Sequence, residues 1–255
     1  MAVAARAGLS RFVPAAGVMV SAALLTGCHV AGFAVQHPAD KQGQQAATLW
    51  HATEFVALAV GVIVWGLILY VIIRYRRRRN LPDDAIPSQQ AESLKLEAIY
   101  ITIPLIIVAA LFFFTTRAQR KIDAVSSHPD LKVQAVAFQW GWRFQYPNGT
   151  TTASQGFGLG QVPPDLYLPV GQTTEIDLTA VDVIHAFYVP AFLFQRAAVP
   201  GSPTSFDLTP TEVGTFDGKC STFCGIGHYQ MLFTVRVVTA TQFQTWLASH
   251  GKASM

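Results

Sequence analysis

Cysteine is scarce in this chain of 255 residues: Cys28, Cys220 and Cys224 are the whole supply. No C-x-x-C-H stretch is present, which excludes c-type haem attachment. The C-x2-C pairs usual at zinc sites are missing too. The Gly-rich residues 156–160 are followed by neither Lys-Ser/Thr nor a helical pattern, so they do not form a phosphate loop. No internal repeat or low-complexity tract occurs, which removes solenoids and arrays. Charged residues amount to only 13%, and residues 55–73 and 98–116 contain none. The hydrophobic excess therefore belongs to these two runs rather than to an unusual core.

What cysteine there is lies in one informative loop. Residues 220–231 read CSTFCGIGHYQM, with the spacing C-x3-C-x3-H-x2-M. Two thiols, an imidazole and a thioether are soft donors with one nitrogen, a set that selects copper among common biological metals and suggests electron transfer. Cysteines outside the cytoplasm often pair, but a bridge between residues four apart would close a tight ring and gain little loop entropy. Zinc has no use for the Met, although a lone Met is more often core filler than ligand.

The N-terminus has the form of a targeting segment. Arg6 and Arg11 precede an apolar stretch too short to span a bilayer, and the stretch ends in Leu25-Thr26-Gly27-Cys28. This is the L-[small]-G-C pattern of bacterial lipoprotein signals, with Cys28 as the lipid-modified first mature residue; an ordinary signal or an uncleaved anchor with a chance Cys is the alternative. Residues 1–27 are set aside from the fold. Residues 55–73 and 98–116 each match the roughly 20 apolar residues of a spanning helix. Pro104 in the second is tolerable in a bilayer. The first run leads into Arg74-Tyr75-Arg76-Arg77-Arg78-Arg79, and Lys95 stands before the second run. A basic loop stays cytoplasmic, so the expectation is a two-pass protein of a bacterial plasma membrane with both mature ends outside. In a soluble protein the arginines could bind nucleic acid. Directly beside a span they are topogenic, and no nucleic-acid partner is expected.

Residues 121–255 read as one all-β domain, a sandwich or small barrel. Residues 131–146 form a long strand or hairpin arm, Asn148-Gly149 a turn, and residues 173–178 and 232–238 strands. Residues 241–249 suggest a short helix with Phe243, Trp246 and Leu247 on one face. Trp140 and Trp142 flank Gly141, so in a strand they share a face. An exposed aromatic there suits electron input, and a core Trp is the plain reading; each role fits one of the two.

The copper loop is short of a nitrogen. His29 and His37 lie near the mature start, His51 beside the first span, His128 in a linker and His250 in the tail. His185, in D-V-I-H-A-F-Y-V-P after a strand, is the best candidate, although a satisfied core histidine is its ordinary reading.

Taken together, the lipoprotein-type signal, the two spans with a basic loop, the stretch around His185, the Cys220 to Met231 motif and Gln139-Trp140-Gly141-Trp142 resemble subunit II of the haem–copper cytochrome c oxidases, most closely actinobacterial forms. The resemblance implies two transmembrane helices (about 50–73 and 98–116, within 28–120) followed by a cupredoxin-like barrel at 121–255. It implies a binuclear copper centre, CuA. In it Cys220 and Cys224 are bridging thiolates, His185 and His228 bind one copper each, Met231 is a weak axial ligand and Thr222 gives its carbonyl. It further implies subunit I and other oxidase subunits as partners and a cytochrome c donor, with oxygen reduction in subunit I.

The chain also departs from that pattern. Thr222 stands where the family usually has the Glu that binds magnesium or manganese at the subunit I interface, and a hydroxyl is a poor substitute for a carboxylate. Gln145, Gln195 and Ala197 stand where charged residues are frequent. This weakens the case for charge-steered docking of a soluble cytochrome c and favours a membrane-tethered cytochrome or apolar docking. Quinol-oxidase-type subunits lack the copper ligands that are present here. Nitrous oxide reductase shares the copper loop but needs a large His-rich domain for which this chain has no room. A membrane-anchored copper delivery or storage protein remains the alternative, though it would need neither the W-x-W segment nor two spans.

Overall fold

The computed structural model describes residues 37–76, 92–155 and 160–250. The signal segment with Cys28, the arginines beyond Arg76 and the Gly-rich residues 156–159 lie outside the described residues. Two long helices come first. Helix α1, Lys41–Arg74, has 34 residues and a length of about 51 Å at 1.5 Å per residue. That exceeds the roughly 30 Å of a bilayer core. Helix α2, Leu94–Ile122, contains Pro104. The two helices pack on each other, and both are long and apolar enough to cross a membrane, with no residue of their most apolar stretch buried.

Both helices overrun the apolar runs, and the reason differs at the two ends. Lys95, expected before the second span, lies in the first turn of α2. At the start of α1, Asp40 caps the helix by accepting the N–H groups of Gln42 (2.9 Å) and Gly43 (3.4 Å). Its other oxygen accepts Thr209 N–H at 2.7 Å. One carboxylate thus satisfies two otherwise unpaired helix donors and ties the helix to the β domain. Gly43 is required there: a Cβ would lie 2.2 Å from the carbonyl oxygen of Phe192. The first turns of α1 therefore belong to the β domain as much as to the apolar part of the helix.

The remainder is a sandwich of two five-stranded sheets. Its strands are β1 Leu131–Phe138, β2 Gly141–Gln145, β3 Thr151–Ala153, β4 Asp165–Pro169, β5 Thr174–Ala180, β6 His185–Val189, β7 Phe194–Ala198, β8 Thr204–Leu208, β9 Gly214–Cys220 and β10 Leu232–Val238. One sheet runs β3-β2-β1-β5-β8 and the other β4-β10-β9-β6-β7. Pairing is antiparallel except for β1 with β5 and β10 with β4. Residues 131–146, expected as one long strand or a hairpin arm, form a hairpin, β1 and β2, broken at Gln139 and Trp140. The fold class read from the sequence, two long apolar helices and then an all-β sandwich, is borne out.

Alternation puts large apolar side chains between the sheets. Trp142 and Phe144 of β2 meet Phe187 of β6 and Phe233 of β10, with ring centroids 4.8 to 6.4 Å apart. Each such ring removes about 150–250 Å² from water, and at about 25 cal/mol per Å² the cluster is the main cohesive element of the sandwich. Helix α3, Ala240–His250, closes one end. Its Phe243 is buried, and Trp246 stacks on Tyr167 at 4.2 Å.

Candidate metal centre

The donors converge because three strands end together. Cys220 is the last residue of β9, and Met231 immediately precedes β10, its antiparallel partner. The loop between them is closed at its base by Cys220 N–H donating to Met231 O at 2.9 Å. His185 opens β6, which pairs with β9 through Phe187 and Cys220. Ser221 N–H donates to Ala186 O at 3.3 Å, which draws the loop over that strand end.

The six sequence-expected positions form one continuous set. His185 Nδ1 lies 4.0 Å from Cys220 Sγ, and Cys220 Sγ lies 4.0 Å from Cys224 Sγ. Cys224 Sγ lies 3.6 Å from His228 Nδ1 and 3.9 Å from Met231 Sδ. Cys220 Sγ is 3.2 Å from Thr222 O. Ligand atoms of His185, Cys220 and Cys224 all fall within 4.8 Å of one another and could hold a metal ion. His185, both thiols and Met231 are buried, and His228 is half-buried. His51, His128 and His250 are exposed on α1, in a linker and at the end of α3, and take no part.

A carboxylate not singled out in the sequence orients the site. Asp182 Oδ1 accepts from His185 Nε2 at 2.8 Å, while its side chain also accepts Val183 N–H at 2.7 Å and Gln139 N–H at 2.6 Å. A proton on Nε2 leaves the Nδ1 lone pair directed at Cys220, the arrangement in which a histidine ligand is held by its other nitrogen. The signal was present: Asp182 is three residues before His185 in the quoted D-V-I-H stretch. Gln139 Nε2 and Trp140 Nε1 both donate to Cys224 O, at 2.8 and 3.1 Å. Trp142 Nε1 donates to Met231 O at 3.4 Å.

The two indoles do not share a strand face, contrary to the sequence expectation. Trp142 points into the core from β2 and is wholly buried, whereas Trp140 lies in the turn before that strand and is half-buried over the Cys220–Met231 loop. The fit over the loop is close. A Cβ on Gly227 would meet Trp140 Cδ2 at 2.5 Å, and Gly225 has φ +123°, a backbone region natural only to glycine.

Electrostatics separate the two thiols. Burial pushes Cys220 up, but hydrogen bonding with His185 and nearby backbone brings it down to about 7. Burial and the adjacent Cys220 push Cys224 up to about 12. Burial disfavours a charged His185, yet its hydrogen bonds to Cys220 and Asp182 raise it above the ordinary imidazole value. Asp182, despite some burial, is lowered by His185 and by the Val183 and Gln139 N–H groups. One thiol of the pair is thus ready to ionise beside an imidazole fixed in orientation.

The family description "cytochrome c oxidase subunit II, periplasmic domain" matches residues 131–238. The probable cytochrome c oxidase subunit 2 of Streptomyces avermitilis is 35% identical over 275 residues, which covers 93% of this chain and 85% of the relative. The chain belongs to the cytochrome c oxidase subunit II family. The corresponding protein of Streptomyces coelicolor is 34% identical with the same coverage, and cytochrome c oxidase subunit 2 of Mycobacterium bovis is 30% identical over 78% of this chain and 69% of its own length. The crystal structure of the periplasmic domain of subunit II of Bradyrhizobium japonicum cytochrome oxidase is 31% identical with a TM-score of 0.45, covering 50% of this chain and 98% of that one. As a subunit II, the chain is part of an oxidoreductase complex, and the actinobacterial resemblance noted in the sequence is borne out.

Proposed function

We propose that this chain is the electron-input subunit of the oxidase. It takes electrons from a c-type cytochrome outside the cytoplasm and delivers them to haem in subunit I, where oxygen is reduced to water. The observation that carries the reading is the convergence of His185, Cys220, Cys224, His228, Met231 and the Thr222 carbonyl at one end of the sandwich. The chemistry of this set fits copper: thiolate and thioether sulfur with imidazole nitrogen. In this reading Cys220, Cys224, His185 and His228, with Met231 and the Thr222 carbonyl, would hold two coppers. Copper so held would supply one-electron transfer.

The protein supplies orientation and dryness. Asp182 fixes the His185 ring, and Gln139 and Trp140 hold the Cys224 carbonyl against loop motion. Buried Met231 and Phe187 keep water from the inner side. Trp140, half-buried over the loop, is the side chain we assign to electron input, and wholly buried Trp142 is a core residue whose N–H anchors the Met231 carbonyl. Thr222 offers no carboxylate, so this position does not supply a magnesium or manganese site at the subunit I interface. Phe223, Ile226 and Tyr229 are exposed around the loop. This exposed apolar rim supports apolar docking of a membrane-tethered cytochrome.

The two long helices are proposed to cross the bacterial plasma membrane with the arginine-rich loop in the cytoplasm and the copper domain outside. Metal analysis of the full chain reconstituted in detergent tests the copper reading. Two copper ions per chain, lost on Cys220→Ser, are expected. A single copper, or a loading unchanged by Cys220→Ser, contradicts it.

A further inference from the structure

Three cations crowd one end of α2. Arg117, Arg120 and Lys121 fall within five positions, immediately after the uncharged residues 98–116. Their spacing of three and four places them on one helix face. Among the described residues none of the three has an ion-pair partner. The acid nearest in sequence is already occupied: Asp123 accepts from Arg196 at 2.6 Å and from Gln119 at 2.8 Å. Neighbouring unpaired cations repel one another, and the outer flank of a span is where Lys and Arg are normally depleted.

Space for a counter-ion lies beside them. A cavity of about 540 Å³ is lined by Phe113, Thr116, Arg117, Arg120, Lys121 and Ala124. A second, of about 210 Å³, sits between the helices, where Gln45 and Thr48 of α1 face Phe114, Arg117 and Lys121 of α2. Arg117 and Lys121 line both. Below the cations, Phe113 and Phe114 are exposed, so the surface changes from cationic to aromatic along the helix.

We propose that this is a headgroup site for an anionic phospholipid of the outer leaflet. The three cations hold its phosphate, Gln45 and Thr48 give neutral polar contacts between the helices, and the acyl chains lie along the aromatic surface. The inference rests on the proposed membrane orientation, which puts these residues at the outer boundary of the bilayer. On the cytoplasmic side of membranes, basic pockets between transmembrane helices hold anionic headgroups, and the same charge pairing is available at this outer boundary. The source is a lipid rather than free phosphate because the cations are continuous with an apolar surface that inorganic phosphate cannot use.

The test uses the copper-loaded full chain, placed in phosphatidylcholine nanodiscs doped with phosphatidylglycerol, then released and examined by native mass spectrometry. The wild type is expected to retain phosphatidylglycerol several-fold more than the Arg117→Gln/Arg120→Gln/Lys121→Gln variant, whereas Arg74→Gln/Arg76→Gln retains it as the wild type does. Excess inorganic phosphate leaves retention unchanged. Equal retention in the triple variant and the wild type overturns the site, as does loss only on changing Arg74 and Arg76. Displacement by inorganic phosphate overturns the lipid as its occupant. A copper EPR spectrum recorded on the same samples separates the two readings. Intact copper with unselective lipid retention strikes this inference alone, and selective retention without copper strikes only the electron-transfer reading.

Discussion

At the scale of single residues, the two tryptophans show where strand periodicity stops being a guide. Alternation around Gly141 predicts a shared face, but it applies only inside a strand, and Trp140 is the residue before one. Their consequences should therefore separate. Trp142→Ala empties a core site wholly closed to solvent and is expected to cost about 3–5 kcal/mol in denaturant unfolding. Trp140→Ala loses one hydrogen bond to Cys224 O, worth about 1 kcal/mol, and should leave the copper spectrum in place while slowing reduction by a c-type cytochrome in stopped flow. Equal effects of the two changes on stability would contradict this division. The residues proposed to hold copper could be named from the sequence because most lie in one loop with characteristic spacing, and His185 could be reached by asking which nitrogen that loop lacked. Asp182 stands in the same stretch as His185, but its role could not be read there, because it depends on the rotation of the imidazole, which spacing does not encode. Asp182→Ala is expected to weaken copper affinity about 10- to 100-fold, the usual cost of losing a carboxylate behind a ligand histidine, measured by competition with a copper chelator.

At the scale of elements, the apolar runs located both helices but not their ends. The first turns of α1 are held by the cap at Asp40 and by close packing at Gly43, contacts with residues more than a hundred positions away. Hydropathy cannot register them. This junction also has a pH signature. Burial outweighs the three backbone N–H groups and pushes Asp40 up to about 6 from an ordinary value of 3.8. In that window the folded protein holds a proton that the unfolded chain has released, so stability falls as pH rises. The contribution is complete below pH 3.8 and lost as pH passes about 6. At about 1.4 kcal/mol per unit this amounts to a few kcal/mol. Denaturant unfolding of the full chain in detergent between pH 4 and 6.5 should show the decline, and Asp40→Asn should flatten it. A slope unchanged in that variant would remove Asp40 as its source.

At the scale of the whole molecule, composition separates the chain into an apolar pair of helices and a β domain, and the structure has that division. The strand order, with β1 beside β5 and β10 beside β4, was not legible, because parallel pairing joins strands that no short turn connects. The proposed orientation predicts that, in intact cells, Ser249→Cys reacts with an impermeant thiol reagent while Ser88→Cys, in the basic loop, reacts only after permeabilisation. The reverse pattern would place the metal loop in the cytoplasm and exclude an extracytoplasmic electron donor. The central claim, two coppers sharing the thiols of Cys220 and Cys224, is tested most directly by the EPR spectrum of the copper-reconstituted full chain. The account predicts hyperfine splitting shared equally by two copper nuclei and abolished by Cys220→Ser; a pattern from a single copper nucleus would contradict it.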